Sequence, residues 1–130
     1  MEREQIYNKP WILQRADPYV TCKDGQYYFT ASVPAYDGIV LRRASVLEEL
    51  KDAPETEIWH KHEGGPMSEH IWAPELHYID GSWYIYFAGG EAEDIWRIRP
   101  YVLKCDGQDP LKDSWQECGM MQAADGDEFS

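Results

Sequence analysis

Two carboxylates in this chain sit beside prolines at the heads of stretches that read as β-strands: Asp17 before Pro18, and Glu75 after Pro74. The residue before a proline is pushed away from helical geometry, so Asp17 is expected on an extended segment leading into its strand. A carboxylate fixed there and aimed into a cavity suits a general base. The same residue type before proline also caps turns, and Glu75 reads equally well as a salt-bridge partner. Trp72 either offers an aromatic face to a sugar ring or packs inside the fold. The four histidines, His60, His62, His70 and His77, lack zinc-finger and HExxH spacing, and Cys22, Cys105 and Cys118 form no CxxC pair. No metal, cofactor or disulfide framework is therefore expected. His60 and His62 alternate on one strand face and read as surface residues, while Asp37, Glu91, Glu93 and Asp94 read as solvated loop charges.

The elements that must position these residues are mostly strands. Residues 18–22 and 26–32 flank Asp24-Gly25, and residues 74–79 and 82–88 flank Asp80-Gly81. Asp-Gly between β-branched and aromatic runs is a strong hairpin signal. Further strands are predicted at 39–44, 56–61, 100–105 and 114–118, with a short helical turn at 45–51. The two hairpins are copies, 56 residues apart: Pro18 meets Pro74, Tyr27 meets Trp83, Tyr28 meets Tyr84, and Trp59 meets Trp115. Each copy reads as four short antiparallel strands, which is the pattern of a β-propeller blade. A β-sandwich of two four-stranded sheets is the alternative.

The predicted fold class is thus all-β, with blade 1 at about 14–63 and blade 2 at about 70–122. Propellers close with about four to eight blades. The chain therefore reads as the first part of a longer propeller, its third blade lying beyond Asp127–Ser130. Antiparallel alternation places Arg15-Ala16-Asp17, the loop Val33–Gly38, the stretch Ile71–Glu75 and the loop Gly89–Arg97 around one mouth of the central channel. Asp17 and Trp72 to Glu75, at the innermost strands, are best placed to meet a ligand.

Composition narrows the class further. The chain has 130 residues with 12 Lys and Arg against 24 Asp and Glu, a net charge of −12. Nucleic acid and anionic membrane surfaces need a basic patch, so neither is an expected partner. Hydrophobic residues at 43% and aromatics at 14% are ample for a core and exclude wholesale disorder. No apolar run approaches the length of a membrane span. The first ten residues, MEREQIYNKP, are charged and lack the apolar segment of a signal peptide, which predicts a cytoplasmic chain with reduced thiols.

Arg15-Ala16-Asp17-Pro18-Tyr19-Val20 followed by Asp24-Gly25-Gln26-Tyr27-Tyr28 resembles the opening of glycoside hydrolase family 43. So does His70-Ile71-Trp72-Ala73-Pro74-Glu75-Leu76-His77-Tyr78 followed by Asp80-Gly81-Ser82-Trp83-Tyr84. The first blade of that family carries an ADP-type motif and the second a WAP(D/E)-type motif, and both are present in order. Gln14 to Pro18 and Ser32-Val33-Pro34 are similar to the α-L-arabinofuranosidase members. The resemblance implies two blades of a five-bladed propeller and a glycosidase that inverts the anomeric carbon of arabinose- or xylose-containing saccharides. It implies Asp17 as the general base, Trp72 as a wall of the sugar pocket and Glu75 as a residue of the pocket rim. The general acid and the aspartate that orients it belong to later blades, and so does the usual ligand of the family's metal ion; no metal is assigned here. The 130 residues alone are then expected to be inactive and to self-associate through uncovered blade faces. The competing readings are a non-catalytic carbohydrate-binding piece and an assembly piece.

Overall fold

The computed structural model describes residues 15–121, apart from the side chain of Ile95. Gln14, Gln122 and the stretch Asp127–Ser130 lie outside the described residues. Eight strands form two four-stranded antiparallel sheets, each in simple sequential order. The first sheet holds β1 (Ala16–Lys23), β2 (Gln26–Ser32), β3 (Gly38–Ala44) and β4 (Thr56–His60). The second holds β5 (Glu69–Ile79), β6 (Ser82–Glu91), β7 (Asp94–Cys105) and β8 (Gln116–Met120). A 3₁₀ turn over Leu47–Asp52 links β3 to β4. This is the all-β, two-blade arrangement predicted from the repeat.

Both hairpins owe their register to their turns. Asp24 and Gly25 have φ of 53° and 78°, and Asp80 and Gly81 have 50° and 87°. Positive φ at both central residues is the two-residue turn whose twist matches the flanking strands. Cys22 then pairs with Tyr27, and Tyr78 with Trp83, at the same 56-residue offset. The offset ends at the fourth strands. Trp59 lies inside β4, whereas Trp115 precedes β8, because β7 runs on to Cys105, past the offset match of the end of β3 at Ala44, and β8 starts correspondingly later. Trp59 packs against Phe87 (centroids 5.2 Å apart), while the Trp115 indole donates to the Pro110 carbonyl at 2.8 Å. The Trp59–Trp115 match is therefore not a structural equivalence.

The core lies between the two sheets. Tyr28, Ile39 and Leu41 of the first meet Ile71, Leu76, Trp83, Ile85, Phe87 and Leu103 of the second. Alternation along β6 sends Trp83, Ile85 and Phe87 inward and leaves Tyr84 and Tyr86 on the opposite face. On the far side of the first sheet, Leu50 of the 3₁₀ turn folds back onto Phe29 and Ala31. Polar ties join the sheets as well: Arg43 donates to Asp109 at 2.8 Å, and the Trp59 indole to Glu117 at 2.8 Å. β1 and β2 both pack on β5, which brings the two motif-bearing strands side by side.

Candidate active site

The head of β1 is bulged. Ala16 pairs with Ser32, and the ladder resumes only at Tyr19 and Thr30. Asp17 takes φ of 50°, so the extended geometry expected before Pro18 is not what forms. The bulge supplies the reason: an extra residue turned into the left-handed region re-aims its side chain, and Asp tolerates that region better than most residues. The Asp17 carboxylate is exposed, yet it accepts a hydrogen bond from the Ser32 hydroxyl at 3.3 Å. Ser32 is 1% exposed. Its oxygen also accepts the backbone N–H of Ala73 at 2.8 Å, so one hydroxyl joins the first sheet's carboxylate to the second sheet's Trp-Ala-Pro-Glu stretch.

Trp72 is held between two irregularities of the β5 ladder, one on each side. Its half-buried ring meets Tyr36 edge-on at 5.8 Å and His70 at 4.8 Å. His70 in turn stacks on Trp96 at 5.9 Å with 18° between planes. Trp96 is 74% exposed, so this aromatic row runs from the inter-sheet cleft out to solvent. The Ile71 N–H donates to the Tyr36 carbonyl at 3.0 Å, fixing the loop after β2 against β5. Glu91 and Arg97 pair at 2.7 Å across the β6–β7 connection. Contacts thus link Asp17, Tyr36, Trp72 and Trp96, one residue from each of the four segments grouped together above.

Glu75 is placed differently. It is exposed, pairs with Tyr86 in register and has His77 Nε2 at 3.3 Å. With Ala73, Ala88, Arg99 and Pro100 it lines an open groove of about 310 Å³ on the face of the second sheet that looks away from the first. The structure brings Asp17 to the Trp72-Ala73 segment through Ser32, and sets Glu75 beside the groove. Sequence reasoning missed Ser32, Tyr36, His70 and Trp96. His70 could have been found, because it lies two residues before Trp72 on the same strand and neighbours of that spacing share a face. Among the described residues, Asp37, just before β3, and Glu57 and His60, both on β4, offer three possible ligand atoms within 4.8 Å of one another.

A sequence profile of glycosyl hydrolases family 43 matches residues 7–129. The chain belongs to glycosyl hydrolase family 43. This family-43 chain is 54% identical over 116 residues to an extracellular exo-α-(1→5)-L-arabinofuranosidase of Streptomyces avermitilis, which covers 88% of the chain and 24% of that protein. It is 52% identical to a protein of the same name from Streptomyces chartreusis, covering 94% of the chain and 38% of that protein. A crystal structure of an α-L-arabinofuranosidase from Lactobacillus brevis superposes with a TM-score of 0.80 at 48% identity, over 89% of this chain and 39% of that one. The family-43 chain thus spans about a quarter to two-fifths of the proteins it matches. Two of these relatives are named extracellular, which overturns the cytoplasmic expectation. A leader peptide is cleaved away and takes no part in the fold, so charge in the first ten residues was no guide to compartment.

Proposed function

We propose that this chain supplies two blades of a five-bladed domain that hydrolyses α-L-arabinofuranosyl linkages outside the cell, with inversion at the anomeric carbon. What carries this reading is the half-identity, over about nine-tenths of the chain, to proteins named arabinofuranosidases. Two four-stranded sheets spanning 39% of a related chain fit two blades out of five. In the proposed reaction a water oxygen bonds to the anomeric carbon while the bond to the leaving oxygen breaks. Asp17 takes the water's proton, and a carboxylic acid from a later blade gives one to the leaving oxygen. Inversion needs the two carboxyl groups about 6.5–9.5 Å apart, leaving room for the water. Trp72, walled by Tyr36 and His70, shapes the pocket, and Glu75 belongs to its rim.

The test is Asp17→Ala in the full-length protein. Turnover of an aryl α-L-arabinofuranoside should fall by about 10²-fold or more. Azide should restore product formation by taking the place of water. Proton NMR should show the wild-type enzyme releasing the inverted anomer first. A variant with near-normal turnover removes Asp17 from the mechanism; a protein that binds arabino-oligosaccharides without cleaving them replaces the enzyme by a binding module.

A further inference from the structure

The two copies of the repeat differ at one paired position, and the difference falls at the carboxylate. In the first sheet Ala16 pairs with Ser32, next to Asp17; in the second Trp72 pairs with Ala88, next to Ala73. Asp17 and Ala73 are equivalent by the 56-residue offset, and both take φ of 50°. The backbone is therefore repeated, and an Asp with a Ser in one copy stands as an Ala with an Ala in the other. A hydroxyl is not needed to build the bulge, since the second copy forms it with alanine. Ser32 is fully buried, and both of its hydrogen bonds reach the candidate site: it donates to Asp17 Oδ2 and accepts from the Ala73 N–H.

From this we infer that Ser32 is a positioning residue, holding the Asp17 carboxylate in the orientation in which it meets the attacking water, and holding it in register with the Trp72 segment of the neighbouring sheet. The hydroxyl has one proton and gives it to Asp17, whose carboxylate can only accept, while its oxygen takes the Ala73 N–H. A carboxylate on a left-handed, exposed residue has free rotation about its side-chain bonds unless something fixes it. A buried hydroxyl anchored on a second sheet does so. Misplacing a reacting group by about 1 Å can cost on the order of 10²-fold in rate. The inference rests on the reading of Asp17 as the general base.

The experiment uses the full-length protein with Ser32→Ala, and with Ser32→Cys, which keeps the volume and donates poorly. Both should melt cooperatively, as the alanine of the second copy implies. Both should lose roughly 10- to 100-fold in kcat on an aryl arabinofuranoside, with KM changed less than about threefold. The deciding arm is the azide-rescued rate of Asp17→Ala: adding Ser32→Ala should leave that rate unchanged, since the carboxylate it positions is gone. Wild-type kcat in both Ser32 variants overturns the inference. So does an equal loss in the azide-rescued background, which makes Ser32 merely structural. If Asp17→Ala itself keeps near-normal turnover, the reading of Asp17 as base fails instead, and the two failures are distinguishable.

Discussion

Asp17 and Glu75 looked alike in the sequence, each a carboxylate beside a proline at the head of a strand. Their surroundings now separate them. Asp17 is tied to a buried hydroxyl and through it to the second sheet, while Glu75 stands in an exposed groove with His77 beside it. An ion pair between two exposed side chains contributes at most about 1 kcal/mol. Glu75→Gln should therefore change kcat/KM on an aryl arabinofuranoside by less than about fivefold, whereas Asp17→Asn should lower it by 10²-fold or more. Equal losses in steady-state assays of the two variants would place Glu75 in the chemistry. The identity of Asp17 as a candidate was legible because its Pro18 neighbour and the Asp24-Gly25 turn are local signals. Ser32 was not, since its partners lie 15 and 41 residues away and on different sheets. The signal that would have found it is the mismatch between copies, Ser32 against Ala88.

At the scale of elements, the hairpins and the order of the strands were readable because their causes are local: Asp-Gly turns set register and alternation sets faces. What connects one strand to a distant one was not. Glu55, just before β4, shows this. It accepts from Arg15 Nε at 3.0 Å and from Arg42 Nε at 3.0 Å. Arg42 also donates to the carbonyls of Leu50 at 3.0 Å and Lys51 at 2.8 Å, pinning the 3₁₀ turn whose Leu50 covers Phe29. Burial pushes the Glu55 carboxyl up, but the two guanidiniums together outweigh it and hold it below its ordinary value. A carboxylate depressed on folding stabilises the native state above its unfolded pKa, and that contribution is lost as pH falls through the folded value. Glu55→Gln should thus lower stability by about 1–3 kcal/mol near pH 7. Thermal melts from pH 7 down to pH 3 should show the gap between wild type and variant closing on acidification. A gap that stays constant would mean that the amide's loss of packing, and not the charge, accounts for it. Because Arg15 lies two residues before Asp17, this network also fixes where β1 begins.

At the scale of the whole molecule, the two sheets share one core and leave the second sheet's other face without a counterpart among the described residues. Among the aromatic side chains of β6, Trp83 and Phe87 face the inter-sheet core. Tyr84 and Tyr86 remain, stacked on each other at 6.3 Å, with Val102 and Lys104 beside them in register. In a five-bladed ring the next blade would cover this face. Burying apolar surface gains about 25 cal/mol per Å², so two tyrosines with their neighbours favour association when no blade is there. The net charge of −12 opposes contact between like copies, over about 10 Å at 0.1 M salt and about 3 Å at 1 M. The 130-residue chain should consequently self-associate more strongly as salt rises, while the full-length protein should show no such dependence. Sedimentation velocity across a salt series checks both. Tyr86→Ser and Tyr84→Ser together should shift the 130-residue chain back toward monomer at high salt, since they remove apolar area without touching the inter-sheet core. A chain that stays monomeric at every salt concentration with a sharp melt would show that two blades are self-sufficient. Association unchanged by the two serines would move the contact surface elsewhere, to the Tyr27 side of the first sheet, where Leu50 covers only part of the face.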